Sequence, residues 1–169
     1  MKEVVDVNTG EVKLGTGEEI LRSVAIGSCI VVAACDFKKK TGALAHIMLP
    51  GRASARSQEK TKYAADAIEE MVNKMTDAGT SKDDIEVCLI GGANILKNDD
   101  DTICSENIRS TTELLKERQI PIKATVLGGE KRKGVCLDIE SSTVFYTEGD
   151  EKEKFLWKAC DKSGQAEIP

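Results

Sequence analysis

Short apolar runs separated by charged or turn-forming stretches predict β-strands over the first fifty positions of the chain. Residues 21–26, 30–35 and 43–49 are rich in Val, Ile, Leu and Ala. Runs of this length with such boundaries are typical of strands rather than helices. Residues 36–42 join the second run to the third, so the pattern predicts a β-hairpin there.

Further along the chain the apolar pattern changes to the spacing of a helix. Apolar residues recur at helical intervals between residues 63 and 75, and Gly79 is a suitable C-terminal stop. A strand is predicted at residues 85–90, a second helix from about residue 105 to 118, and a strand at residues 122–127. This strand–helix–strand order predicts a parallel crossover.

Two more strands, near residues 135–139 and 143–146, complete the predicted elements, and a charge-rich tail begins at about residue 148. The chain has 169 residues, of which 40% are hydrophobic and 31% charged. It is therefore long enough for one domain with a sizeable core, and too apolar for a disordered chain. A net charge of −5 argues against a nucleic-acid-binding surface.

No apolar run approaches the roughly 20 residues that cross a bilayer, and the N-terminal sequence contains no signal-peptide core. We therefore expect a cytoplasmic protein without membrane insertion. The six cysteines have no Cys-x-x-Cys spacing, and Cys88 and Cys136 lie within strand-like runs, where cysteine acts as a small apolar residue. We expect neither disulfides nor a metal or other cofactor. The acidic run Asp99–Asp101 lacks the ligand spacing of a calcium loop and is predicted to be a solvated turn.

The candidate chemistry lies in Gly27-Ser28-Cys29 and in His46, the only histidine, 17 residues after the cysteine. A cysteine becomes a strong nucleophile when its pKa is lowered, and a nearby imidazole commonly has this effect. Taken alone, the pair is ambiguous, because buried structural cysteines and core histidines are both common. The residues by themselves allow a catalytic pair and a structural one.

The register of the predicted hairpin decides whether Cys29 and His46 meet. They lie directly opposite each other if Cys35 pairs with Lys40, which leaves residues 36–39 as the loop. A longer loop that ends at Gly42 puts His46 near Val32 and on the other face of the sheet from Cys29. Gly27 also allows Cys29 to lie on a turn or bulge before the strand. These alternatives remain open.

A set of ordered motifs extends over most of the chain. The motifs are Ala25-Ile26-Gly27-Ser28-Cys29-Ile30-Val31-Val32, His46-x-Met48-Leu49-Pro50, Lys62-Tyr63-Ala64-Ala65-Asp66-Ala67-Ile68, Gly91-Gly92-Ala93, Asn107, and Gly128-Gly129 followed by Arg132. In this order and spacing they resemble the chemoreceptor glutamine deamidase family, CheD, over roughly residues 5 to 147.

The resemblance implies an α+β fold in which two main helices flank a mixed β-sandwich, similar to the catalytic scaffold of the cytotoxic necrotizing factor toxins. It implies a single deamidase domain over residues 1–169. The implied activity is hydrolysis of the side-chain amide of particular glutamines on the cytoplasmic helices of chemotaxis receptors. Glutamyl methyl ester hydrolysis is a second reaction that the same thiol could perform. Receptor helices and a CheC-type phosphatase are the implied partners.

The resemblance also assigns site residues. Cys29 is the expected nucleophile and His46 the expected base, and Ser23 occupies the position where the family has a threonine as third member. Gly27 and Ser28 belong to the expected oxyanion pocket, with backbone N–H groups as donors. The alternative is a non-catalytic or mainly regulatory module that binds chemoreceptors and the phosphatase. Retention of both Cys29 and His46 favours the enzyme.

Overall fold

The computed structural model describes residues 2–98 and 102–161, so the acidic run Asp99–Asp101 lies outside the described residues. The strands of the described part are β1 Val4–Asp6, β2 Val12–Thr16, β3 Ile20–Ile26, β4 Ile30–Asp36, β5 Thr41–Ile47, β6 Glu86–Gly91, β7 Ile122–Leu127, β8 Lys133–Asp138, β9 Thr143–Glu148 and β10 Lys154–Lys158. Helix α1 is Ala64–Asp77, and helix α2 is Ile103–Glu117.

The strands form two five-stranded sheets. The order is β1-β3-β8-β9-β10 in sheet I and β2-β5-β4-β6-β7 in sheet II. Both sheets are mixed, because β1 runs parallel to β3 and β6 runs parallel to β7 while the other pairs are antiparallel. The parallel crossover through α2 is therefore confirmed, as is the predicted α+β sandwich with two helices.

The central strands of sheet II are buried on both faces, which explains their unbroken apolar runs in the sequence. In β4, Ile30 and Val32 pack towards the two helices, whereas Val31 and Ala33 pack towards sheet I. Side chains alternate between the faces of a strand, so a strand between two apolar layers needs apolar residues at every position. The layers are thus sheet I, sheet II and the helices.

The two helices bury different kinds of surface. Helix α1 buries alanines, methionines and branched residues against sheet II, and the chain leaves it through Gly79 at a φ of +105°. The predicted stop at Gly79 is confirmed. Helix α2 buries Leu115 together with two polar side chains, Asn107 and Thr111. A buried polar side chain on a helix needs a partner or a reason for its position.

Three strands were not predicted by the apolar pattern. Strand β1 has only three residues and β2 only five, with a lysine and a glycine among them, and β10 lies in the charge-rich tail, where it pairs antiparallel with β9. Phe155 on β10 is 60% exposed, while Leu156 and Trp157 pack partly against the core between the sheets. Within the described residues, no helix combines the length and apolarity that a membrane crossing requires.

Candidate active site

The hairpin between β4 and β5 has neither of the two predicted registers. Asp36 pairs with Thr41, so the loop is residues 37–40, and His46 pairs with Val31. The first prediction had residues 36–39 as the loop, and the observed loop lies one position later along the chain. The pairing partner of His46 therefore moves by two positions, from Cys29 to Val31, and remains on the same face of the sheet. Cys29 precedes Val31 by two residues and packs against the same core cluster as Val31, so Cys29 and His46 lie on the same side of the hairpin.

A bulge and a turn place Cys29 just before β4. The pairing of β3 with β8 shifts between Ser23 and Ile26, and Ala25 there has a φ of +55°. This bulge lies within β3, ahead of Gly27, whereas residues 27 and 28 form a bend and Cys29 follows it; the predicted turn before β4 is therefore present, but the bulge is not at Gly27. At Gly27, a Cβ would meet the end of the Ile95 side chain, so this glycine lies close to the segment after β6. The bulge redirects the chain, and the glycine lets it pass close to the loop after β6.

The glycine pair at the end of β6 holds the Cys29 segment from the other side. The N–H of Gly92 donates to the carbonyl of Cys29 at 2.8 Å, and the N–H of Ala93 donates to the carbonyl of Gly27 at 2.9 Å. Gly91 has a φ of +128°, and a Cβ at this position would collide with the Cys29 carbonyl oxygen. The Gly-Gly motif after β6 therefore supports the Cys29 turn directly.

The carbonyl oxygen of Val7 connects the two other predicted site residues. Ser23 Oγ donates to it at 2.7 Å, and His46 Nδ1 lies 3.4 Å from it. All three residues are buried. A carbonyl oxygen only accepts hydrogen bonds, so His46 donates from Nδ1 and keeps the lone pair on Nε2. Ser23 thus reaches His46 through the backbone of Val7, without a direct hydrogen bond among the described contacts.

Val7 reaches this position because the N-terminal segment crosses from sheet I to sheet II. The N–H of Val7 donates to the carbonyl of Arg22 on β3 at 2.7 Å. A few residues later, the N–H of Gly10 donates to the carbonyl of His46, and the N–H of His46 donates to the carbonyl of Glu11. Residues 7–11 therefore close one end of the sandwich over the histidine.

Burial keeps both candidate catalytic groups neutral. It raises the pKa of the Cys29 thiol above the ordinary value of 9.0, against smaller opposing effects of hydrogen bonds from its own N–H and from the Thr9 hydroxyl. It also lowers the pKa of His46 from 6.5, against smaller opposing effects of the Val7 carbonyl and Glu11. In the free protein, burial therefore shifts the pKa of the Cys29 thiol in the opposite direction from the lowering that a nearby imidazole commonly causes. At neutral pH the pair is a thiol and a neutral imidazole.

The described contacts include no hydrogen bond between the Cys29 thiol and His46. Such bonds are often long in a free enzyme and shorten when substrate binds. The Cys29 N–H contacts its own sulfur, and the Ser28 N–H has no carbonyl acceptor within the described residues. Both N–H groups border the thiol, which is partly exposed. The geometry can therefore accept a carbonyl compound against the sulfur, with N–H donors beside it.

Two contributors to this geometry were missed in the sequence. Val7 acts through its backbone carbonyl, which no side-chain pattern can indicate, and Thr9 lies in a short polar stretch without periodicity. A third residue, Asn107, was noticed as part of a motif but without a role. Its side-chain NH₂ donates to the carbonyls of Ser28 and Met48. Among residues 2–98 and 102–161, no three His, Cys, Asp or Glu side chains are grouped as metal ligands.

Comparison with known proteins identifies relatives of the chain. The family model described as CheD chemotactic sensory transduction matches residues 48–148. A probable chemoreceptor glutamine deamidase CheD from Chlorobium luteolum is 39% identical over 150 residues, covering 88% of this chain and 75% of that protein. A protein of the same name from Methanococcus maripaludis is 31% identical over 150 residues, covering 88% of this chain and 97% of its own. The chemoreceptor glutamine deamidase CheD of Halalkalibacterium halodurans is 30% identical over 147 residues, covering 83% and 91%.

The two kinds of match cover different parts of the site. The family-model match begins after Cys29 and His46. By contrast, a stretch that covers 88% of this chain necessarily includes Ser23, Cys29 and His46, wherever it begins. The similarity to the Chlorobium protein therefore extends over the whole candidate site.

The neutral thiol predicts how Cys29 reacts with iodoacetamide. We expect its alkylation rate to keep rising up to about pH 9 without levelling off near neutral pH, because the thiolate fraction of a group with a raised pKa still increases there. Cys88, whose pKa burial raises to about 12, is the internal control and should stay unlabelled in the folded protein. The check is mass spectrometry of labelled peptides across the pH range. A rate that levels off below about pH 7 would instead reveal a thiolate–imidazolium pair.

The support of Cys29 by the β6 glycines predicts a large effect of Gly91→Ala. We expect the free energy of unfolding to fall by about 2–4 kcal/mol, because the methyl group meets the Cys29 carbonyl and the backbone is strained. Gly17→Ala is the matched control, since Gly17 also has a positive φ but open space around it, and should cost only about 1 kcal/mol. Urea unfolding measures both values. Equal losses in the two variants would contradict the proposed contact.

Proposed function

This chain belongs to the CheD family, and on that premise we propose that it is a cysteine hydrolase that deamidates glutamine side chains of chemotaxis receptors. Curated relatives carry the name chemoreceptor glutamine deamidase. The observation that carries the proposal is the position of the only histidine. His46 is buried, its tautomer leaves Nε2 as acceptor, and its pairing partner Val31 lies two residues after a partly exposed thiol, that of Cys29.

In the proposed reaction, His46 acts as a general base during the attack. Nε2 accepts the thiol proton of Cys29 as sulfur bonds to the carboxamide carbon of the glutamine. The negative oxygen of the tetrahedral intermediate is stabilised by the N–H groups of Cys29 and Ser28. His46 then transfers the proton to the leaving nitrogen. Ammonia departs from the tetrahedral intermediate, and a thioester between Cys29 and the glutamyl carbonyl remains.

Water completes the reaction. His46 deprotonates a water molecule that attacks the thioester carbon, and the Cys29 sulfur leaves and recovers a proton, giving glutamate. The lowered pKa of His46 suits this role, because the imidazole is unprotonated at neutral pH and can accept a proton in both steps. A glutamyl methyl ester is a second possible substrate class, with methanol leaving in place of ammonia.

Ser23 has a positioning role in this proposal. Its hydroxyl donates to the Val7 carbonyl, which in turn accepts from His46 Nδ1, so the hydroxyl fixes the group that orients the imidazole. The partial negative charge on that carbonyl oxygen also stabilises the imidazolium that forms during the reaction, as a buried acceptor does in hydrolytic triads. The threonine found at this position in the family would make the same hydrogen bond with a more restricted χ1.

Membership of the family supports a proposal for partners and location. We propose that the substrate glutamines lie on receptor helices that reach this protein in the cytoplasm. A CheC-type phosphatase is proposed as a second partner, and one deamidase domain is proposed to span the chain.

Loss of the thiol tests the nucleophile. Cys29→Ala should abolish conversion of glutamine to glutamate in a receptor cytoplasmic fragment while leaving the melting temperature within a few degrees of the wild type, because the side chain is partly exposed. Cys88→Ala is the matched control, and it should lower stability through a cavity while leaving the specific activity of the folded protein intact. Mass spectrometry of the fragment detects the product. Continued conversion by the Cys29→Ala protein would contradict the proposed nucleophile.

Two substitutions of Ser23 test its positioning role. Ser23→Ala should lower kcat by about tenfold or more with little change in KM, because it acts on the base and leaves the receptor surface intact. Ser23→Thr should preserve or raise kcat. Ser142→Ala removes another buried hydroxyl that donates to a carbonyl, far from the site, and should not change kcat. Steady-state kinetics on one receptor fragment compares all three. A wild-type kcat in the Ser23→Ala protein would contradict the positioning role of Ser23 and leave Cys29 and His46 as the catalytic pair.

A further inference from the structure

Asn107 joins the two chain segments that carry the candidate catalytic side chains. Its Nδ2 donates to the carbonyl of Ser28 at 2.9 Å and to the carbonyl of Met48 at 3.1 Å. Ser28 immediately precedes Cys29, and Met48 follows His46 by two residues. The side chain comes from α2, which belongs to a separate layer of the fold. One amide group therefore contacts both strand ends of the hairpin.

The contacts occur where the hairpin ladder ends. Ile30 and Ile47 are the last paired residues of β4 and β5 at this end. Beyond them the chains diverge, because the N–H of Met48 donates to the carbonyl of Lys62 instead of to β4. Both carbonyl oxygens are acceptors and cannot hydrogen-bond to each other. One side-chain group can bridge them only if it has two hydrogen-bond donors. A carboxamide NH₂ supplies these donors, whereas a hydroxyl supplies only one.

The free-energy cost of burying the Asn107 amide indicates that its two hydrogen bonds have a structural purpose. The side chain is fully buried on the core face of α2, and its Oδ1 has no hydrogen-bond partner among the described residues. A buried polar atom without a partner destabilises a fold by about 1–3 kcal/mol. An apolar side chain would avoid this cost at the same position, so packing alone does not account for the amide.

We infer that Asn107 is a positioning residue that sets the separation of Cys29 and His46 by holding the two strand ends together. The inference rests on the proposed catalytic roles of these two side chains. Asn107 itself contacts neither the thiol nor the imidazole in the described contacts. Its effect is transmitted through the backbone of Ser28 and Met48, and a displacement of about 1 Å between reacting groups can reduce turnover about 100-fold.

A double-mutant cycle on thiol reactivity tests this inference without a receptor. The rate of Cys29 alkylation by iodoacetamide is measured in the wild type and in His46→Ala, and again with Asn107→Leu added to each. Asn107→Leu keeps a similar volume and removes both donors. At about pH 7, where thiolate is scarce, His46→Ala should slow alkylation several-fold in the wild type, because Nε2 can accept the thiol proton as sulfur attacks the iodoacetamide. It should change the rate little in the Asn107→Leu background, where the imidazole is already displaced. Thr111→Val is the matched control.

Thr111 is as deeply buried as Asn107, lies one turn further along α2, and also has a polar atom without a partner. In the Thr111→Val background, the effect of His46→Ala should remain complete. Retention of the full effect in Asn107→Leu would overturn the inference, as would an absence of any effect of His46→Ala in the wild type. If Asn107→Leu does not fold, Asn107→Ser, which keeps one donor, replaces it in the double-mutant cycle. Unfolding of both, with Thr111→Val folded, would assign Asn107 to the core and also overturn it.

Kinetics on a receptor fragment then separate this inference from the proposed function. Asn107→Leu should lower kcat about 100-fold with KM nearly unchanged, since the receptor surface is intact. If the wild type converts no glutamine while the alkylation cycle shows the expected coupling, the proposed substrate is wrong and the role of Asn107 stands. If the wild type is active and the coupling persists in Asn107→Leu, the role of Asn107 is wrong and the proposed function stands.

Discussion

The geometry of the candidate site depends on one backbone carbonyl, that of Val7. It accepts from Ser23 of sheet I and lies against His46 of sheet II, inside an interface that is otherwise apolar. A buried carbonyl with partners in both sheets fixes their relative position at this end of the sandwich and selects the imidazole tautomer. The crossing segment, residues 7–11, therefore connects fold and chemistry.

The thiol is held by different elements from those that hold the imidazole. The glycines after β6 support the Cys29 turn, and Asn107 of α2 reaches the backbone beside it. Each layer of the fold thus contributes at least one contact to the site. Sites held by packed strands and helices keep their geometry better than sites on free loops, which suits an attack that needs sulfur and nitrogen at a set separation.

Burial shapes the chemistry as much as the contacts do. Desolvation raises the pKa of Cys29 and lowers the pKa of His46, so both groups are neutral in the free protein. The same burial strengthens each hydrogen bond at the site, because the local dielectric is low. A neutral base next to a neutral thiol is competent for proton transfer during attack, and the charges then form only while substrate excludes water.

The sequence by itself determined the strands that are buried on both faces, both helices, the parallel crossover, and the residue types that could carry chemistry, Cys29 and His46. Periodicity and composition record burial, so they predict elements with strong apolar patterns. Strands β1, β2 and β10 have three to five residues each, which is too short for a periodic pattern to stand out in the sequence. Only the tertiary structure decided the hairpin register, the contact of Ser23 with Val7 and the bridge made by Asn107. These depend on backbone carbonyls, which are identical at every residue and acquire partners only when distant segments pack together.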